Sequence, residues 1–114
     1  MLTNSERQTI YSIQSEVREN YVINWSWKPG ATPVDEMTFC MRVSHHISKQ
    51  LKFRQVIGEY VGPDASISVL LHAWNLLDDG TIIDATALQF KGEKESIREI
   101  KGDDYRFGRY RAIP

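Results

Sequence analysis

Asp78-Asp79-Gly80 is the feature that most constrains this chain, because it joins two apolar runs and its chemistry decides how they pair. Upstream lies Leu70-Leu71-His72-Ala73-Trp74-Asn75-Leu76-Leu77; downstream lies Thr81-Ile82-Ile83-Asp84-Ala85-Thr86. Two such runs around a short glycine-containing loop predict a β-hairpin. Alternate residues of a strand face opposite sides, so loop length fixes which side chains share a face. A two-residue Asp79-Gly80 loop would pair Asp78 with Thr81 and His72 with Ala87, placing Asp84 on the face opposite His72. A three-residue loop pairs Leu77 with Thr81 instead, as a type I turn closed by a left-handed residue, where glycine is favoured. In that register Trp74 faces Asp84 and His72 faces Thr86, so His72 and Asp84 are diagonal neighbours about 7–8 Å apart at the backbone. An imidazole and a carboxylate can close that gap to a hydrogen bond. Leu71, Ala73, Ile83 and Ala85 then collect on the other face as core material.

The remaining elements are set by periodicity and capping chemistry. Thr3-Asn4-Ser5-Glu6 fits a capping box, and Ile10, Ile13, Val17 and Tyr21 recur at helical spacing, predicting a helix over about 4–19. Tyr21 to Trp27 has the aromatic and β-branched content of an extended segment, and Lys28 to Pro33 is turn chemistry. Pro33 suits a first helical turn behind Thr32, and Phe39, Cys40, Val43, Ile47 and Leu51 form an apolar stripe, predicting a second helix within 33–51. Cys40 lies on that stripe and points inward; Arg42, His45, Ser48 and Lys49 make up much of the exposed side. His45 and His46 are adjacent and so diverge by about 100° on a helix, which suits a solvated face rather than a metal site. Strands are expected over Phe53–Gly62, Ile67–Leu77 and Thr81–Phe90. The second of these is apolar enough to be a central strand covered on both faces. Lys91 to Glu95 is a charged turn or loop, Ile97 to Ile100 a short strand or helical turn, and Tyr105 to Tyr110 a closing edge segment. The fold class is α+β, with N-terminal helices, one bearing the cysteine, packed on an antiparallel sheet.

Composition narrows the function classes. At 114 residues the chain is expected to form one domain, residues 1–114, large enough to build a core without staples. A net charge of −1 gives no electrostatic reason to expect nucleic acid or an anionic membrane as partner. A single cysteine makes no internal disulfide, so a reducing compartment is the default. Glu6, Gln8, Gln14, Glu16 and Arg18 leave no apolar signal-peptide core in residues 1–20, and no run approaches the length of a membrane span. The expectation is a cytoplasmic protein, or one exported by a route that needs no cleaved signal.

Cys40, His72 and Asp84 together point to thiol chemistry. A thiol is a weak nucleophile until it loses its proton, and an adjacent imidazole takes that proton to give a thiolate–imidazolium pair. A carboxylate on the far ring nitrogen fixes the tautomer and stabilises the imidazolium. Cys40 is thus the candidate nucleophile, His72 the general base and acid, and Asp84 the orienting group. The reaction class is acyl transfer through a thioester to water or an amine, with no cofactor and no metal. The Cys40 backbone N–H is expected to help hold the oxyanion. Asn24, Trp25, Trp27 and Trp74 are candidates for a side-chain oxyanion or substrate contact, and Thr86, Gln89 and Phe90 for aligning the Asp84 strand.

Cys40-x-x-x-Ser44 with Ile47 and Leu51, then His72-Ala73-Trp74, then Asp79-Gly80 and Ile83-Asp84-Ala85-Thr86, resembles the transglutaminase-like branch of the papain-like thiol enzymes. The resemblance covers about residues 36–90. It implies a cysteine-bearing helix on an antiparallel sheet, with a His-x-Trp strand beside an Asp-x-Thr strand, and carries that family's triad onto Cys40, His72 and Asp84. Its members include proteases, peptide-processing enzymes, deamidases and transglutaminases; some are bacterial toxins or effectors, and some have lost activity. The implied substrate is a peptide or protein amide; the short segment before Cys40 leaves its groove either rudimentary or completed by a partner protein. The rival expectation is a non-catalytic binding or scaffold domain that keeps a pseudo-active site.

Overall fold

The computed structural model describes residues 1–21, 33–62, 68–87 and 95–113. The chain is α+β. Helices α1 (Asn4–Tyr21) and α2 (Pro33–Leu51) precede five strands: β1 (Arg54–Val61), β2 (Ser68–Leu76), β3 (Ile82–Asp84), β4 (Arg98–Ile100) and β5 (Tyr110–Ala112). The strands form one antiparallel sheet in the order β4-β3-β2-β1-β5, so β2 is central as its apolar sequence predicts. Among the described residues no helix is long and apolar enough to cross a membrane. The Tyr21–Trp27 and Lys28–Pro33 expectations fall largely outside the described residues, as does most of the Lys91–Glu95 loop.

The start of α1 and the end of α2 have identifiable causes. The capping box forms: the Glu6 backbone N–H donates to Thr3 Oγ1 at 3.1 Å, and the Thr3 N–H donates to Glu6 Oε1 at 2.8 Å. At the far end of α2, Lys52 adopts a left-handed φ of 63°, and its N–H returns to the Ser48 carbonyl at 3.0 Å, which closes the helix. The apolar stripes of α1 and α2 meet Ile83, Ala85 and Ile97 on one face of the sheet, building a core with Ile10, Val17, Phe39, Val43 and Ile47.

The hairpin has the three-residue register. Asn75 is opposite Ile83 and Leu76 opposite Ile82, which sets Leu77 opposite Thr81. The Leu77 N–H donates to the Thr81 carbonyl at 2.9 Å, and Gly80 takes a φ of 89°. Three expectations are corrected. β3 stops at Asp84 instead of running on toward Phe90, because the Asp84 side chain captures the Thr86 N–H at 3.0 Å and turns the chain. Leu71 is 45% exposed rather than core. Residues 105–109 form turns, including a 3-10 turn at Phe107–Arg109, and the edge strand starts only at Tyr110. There the Asp104 carboxylate takes the Arg106 N–H at 2.8 Å, again a side chain competing with the ladder.

The sheet is strongly curled. Were it flat, its outer strands β4 and β5 would lie about 19 Å apart, farther than two side chains reach. Yet Arg98 Nη1 on β4 is 3.1 Å from the Tyr110 hydroxyl on β5. The concave face holds Tyr60, Trp74, Ile82, Ala87, Ile100 and Tyr110. His72, Asp84 and Arg98 are buried with them.

Candidate functional site

Asp84 is the last residue of β3, and the turn immediately after it helps to hold its side chain. Oδ1 accepts from the Thr86 N–H at 3.0 Å and from Thr86 Oγ1 at 3.3 Å. Oδ2 accepts from the Tyr110 hydroxyl at 2.6 Å and lies 2.9 Å from His72 Nε2. From behind, Gln14 on α1 donates to the carbonyls of Ala85 at 2.7 Å and Ser96 at 2.9 Å, pinning the turn to the helix. Four hydrogen bonds to one carboxylate fix both its position and its rotation.

The charge on Asp84 sets the roles of its neighbours. Burial opposes its ionisation, but the His72 charge and hydrogen bond, the Tyr110 hydroxyl and the Thr86 N–H outweigh burial and hold the carboxyl below its ordinary value. An ionised carboxylate only accepts, so His72 Nε2 must carry a proton. That leaves Nδ1 as the second ring nitrogen, and Cys40 is close enough to raise the pKa of the ring. Burial is also the largest influence on His72 and lowers its pKa. Asp84, by charge and hydrogen bond, together with Cys40, reverses that and lifts the pKa to about 9. Cys40, His72 and Asp84 are all 0% exposed.

Cys40 is held in register with this pair by a second polar cluster. Asn75 on β2 donates to the Ser44 carbonyl at 3.0 Å. Gln55 on β1 donates to Ser44 Oγ at 2.8 Å and to the Met41 carbonyl at 3.2 Å. Ser44 Oγ in turn donates to the Cys40 carbonyl at 2.7 Å. The helix is therefore bolted to the two central strands within one turn of the thiol. Beside Cys40 an empty volume of about 130 Å³, bordered by Val43, Ser44, Ala73, Asn75 and Ala85, is too narrow to seat a water molecule.

One feature differs from the sequence expectation. Cys40 is the eighth residue of α2, beyond the first four whose N–H groups lack an intrahelical acceptor. Its backbone N–H belongs to the helix ladder, which overturns its expected role at the oxyanion; the helix dipole also fades before that depth. Trp74 is buried on the concave face, its ring centroid 5.9 Å from that of His72 and 5.1 Å from that of Tyr110, so it packs the site's aromatic wall. Asn24, Trp25, Trp27, Gln89 and Phe90 lie outside the described residues.

The sequence expectation omitted Tyr110, Arg98 and Tyr60. Arg98 is fully buried; its Nη1 donates to the Tyr110 hydroxyl at 3.1 Å and the Tyr60 hydroxyl at 3.3 Å. Its guanidinium also lies 5.9 Å from the Tyr60 ring centroid. The alternation Ile97-Arg98-Glu99-Ile100 carries a faint signal, since Arg98 and Ile100 share a strand face and an inward arginine demands partners. Nothing local marks Tyr110.

No protein-family model matches the chain, and no curated protein or solved structure matches it either.

Proposed function

We propose that the chain is a cysteine-dependent hydrolase or acyltransferase of transglutaminase-like, papain-like type, acting on a peptide or protein amide. The observation that carries this reading is the buried His72 ring, 2.9 Å from Asp84 Oδ2 through Nε2 and within the electrostatic influence of the Cys40 side chain. In the proposed cycle the proton shared by Cys40 and Nδ1 of His72 rests on the imidazole, whose pKa is raised to about 9, and the thiolate of this ion pair attacks the amide carbonyl. The tetrahedral intermediate collapses as His72 returns the proton to the leaving amine, giving a thioester. Water or a second amine, deprotonated by His72, then releases the acyl group and regenerates the thiol. Asp84 stays ionised throughout and keeps the imidazole in the tautomer that faces sulfur.

The full burial of all three groups supports a second reading, a scaffold domain with a pseudo-active site. On the catalytic reading, a substrate reaches Cys40 only after the surrounding contacts open.

The pH profile of Cys40 alkylation by iodoacetamide separates the two when it is measured where the rate is proportional to reagent concentration, because opening is then not limiting and the midpoint reports thiolate formation. The catalytic reading expects a midpoint at least about 1 pH unit below the ~8.5 of an ordinary thiol, returning toward that value in His72→Gln. A wild-type midpoint at or above the ordinary value, unmoved in His72→Gln, would leave the scaffold reading standing and sink the catalytic one.

A further inference from the structure

The concave face carries a hydrogen-bonded path that the triad itself does not require, running from Asp84 through the Tyr110 hydroxyl to Arg98 and on to Tyr60. The direction of each bond is fixed by chemistry. A guanidinium has no acceptor, so Arg98 can only donate to the tyrosine oxygens. The single hydroxyl proton of Tyr110 is thereby committed to Asp84 Oδ2, the same oxygen that faces His72 Nε2. Arg98 thus holds Tyr110 in its donating orientation toward the carboxylate.

Tyr110 reaches this position from the other end of the sheet. It is the first residue of β5, a three-residue edge strand paired only with β1, where Gly58 is opposite Ala112 and Tyr60 opposite Tyr110. The docking depends on Gly58. A Cβ there would lie 2.2 Å from the Arg111 carbonyl, 2.6 Å from Trp74 Cη2 and 2.8 Å from Ala112 Cα. Two of those atoms are β5 backbone, so any side chain at 58 would push the strand outward. The β1–β2 register also shifts between Gly58 and Tyr60, bending the strand that receives β5.

We infer that Tyr110 is a positioning residue for the Cys40–His72–Asp84 site, and that docking of the C-terminal strand β5 completes the site by seating the Asp84 carboxylate. The inference rests on the catalytic reading for its purpose, but its test reads the carboxylate directly. The groups that face Asp84 are His72 from β2, with Cys40 of α2 behind it, and Tyr110 from β5, backed by Arg98 of β4 and Tyr60 of β1.

The experiment is a carbon-detected NMR titration of the Asp84 carboxyl in the full chain, compared among wild type, Tyr110→Phe and Arg111→Ala. Tyr110→Phe keeps the ring and removes only the hydroxyl; the Asp84 midpoint is expected to rise by about one pH unit, a tenfold weaker acid. Arg111→Ala alters the same strand at an exposed surface pair and is expected to leave the midpoint in place. Site-specific 3-fluorotyrosine at 110, a stronger donor in an unchanged fold, moves the midpoint the opposite way and decides the matter if the phenylalanine variant unfolds. Gly58→Ala, by dislodging β5, should reproduce the Tyr110→Phe rise. An Asp84 midpoint that ignores both changes at position 110 overturns the inference even where Cys40 alkylation still depends on His72. Conversely, a moved midpoint alongside His72-independent alkylation sinks the catalytic reading and leaves the positioning contact intact.

Discussion

Ile83 and Asp84 are neighbours in one short strand and both fully buried, yet they are buried in opposite ways. Ile83 points to the helices and is covered by the apolar stripes of α1 and α2, where burial is favourable in itself and directionless. Asp84 points into the concave face, where burial opposes its charge, and it survives there because hydrogen bonds reach it from β2, from β5 and from its own turn. The helix face tolerates a change of shape at the cost of a cavity. The concave face tolerates no missing partner, because each group's charge state depends on the next.

The largest break in this comparison should come from Asp84→Ala, which leaves a buried imidazolium without its counter-charge. A loss of about 3–5 kcal/mol is expected in urea unfolding at neutral pH, together with a flattened pH dependence of stability. Ile47→Ala on the helix face should cost about 3 kcal/mol through the cavity it opens. Its stability should nevertheless track the wild-type pH profile, merely displaced downward; a changed profile would mean that the two faces are coupled.

In the unmodified chain, pH alone should affect only the concave face. His72 is held near 9 against 6.5 when unfolded, so its contribution is complete below about pH 6.5 and is lost as pH rises through 9. At about 1.4 kcal/mol per pH unit this bounds the loss at roughly 3 kcal/mol. Asp84 behaves in the reverse sense: its contribution is present above its unfolded value of 3.8 and is lost as pH falls through its lower folded value. Urea midpoints measured across pH should therefore form a plateau between about pH 4 and 6.5. Stability that climbs steadily from pH 7 to 9 would contradict the His72 assignment. The smallest effect belongs to the capping box: Thr3→Ala should cost about 1 kcal/mol and leave the Cys40 alkylation profile untouched, because Thr3 is exposed.

Local chemistry carried much of this molecule. The capping box, the two apolar stripes and the glycine of the Asp78-Asp79-Gly80 turn are each readable over a few residues, because propensity and turn geometry act at that range. The turn alone settled which face His72 shares with Asp84, and the structure has that register. The early end of β3 was less legible, although its cause is local: the Asp84 side chain competes with the ladder for the Thr86 N–H, and sequence alone does not say which prevails.

What the sequence determined by itself is therefore the two helices, the hairpin register and the shared face of His72 and Asp84, which permits their pairing without compelling it. Only the tertiary structure decided that the sheet curls until β4 and β5 meet, bringing Arg98 and Tyr110 onto a carboxylate that lies 26 residues before Tyr110 in the chain. It also decided that Cys40 sits in the body of its helix, tied through Ser44 to Asn75 and Gln55. The physical reason is range. Turns and caps are set by neighbouring residues, whereas the charge state of a buried carboxylate is set by whatever distant side chains the curvature of the sheet delivers to it.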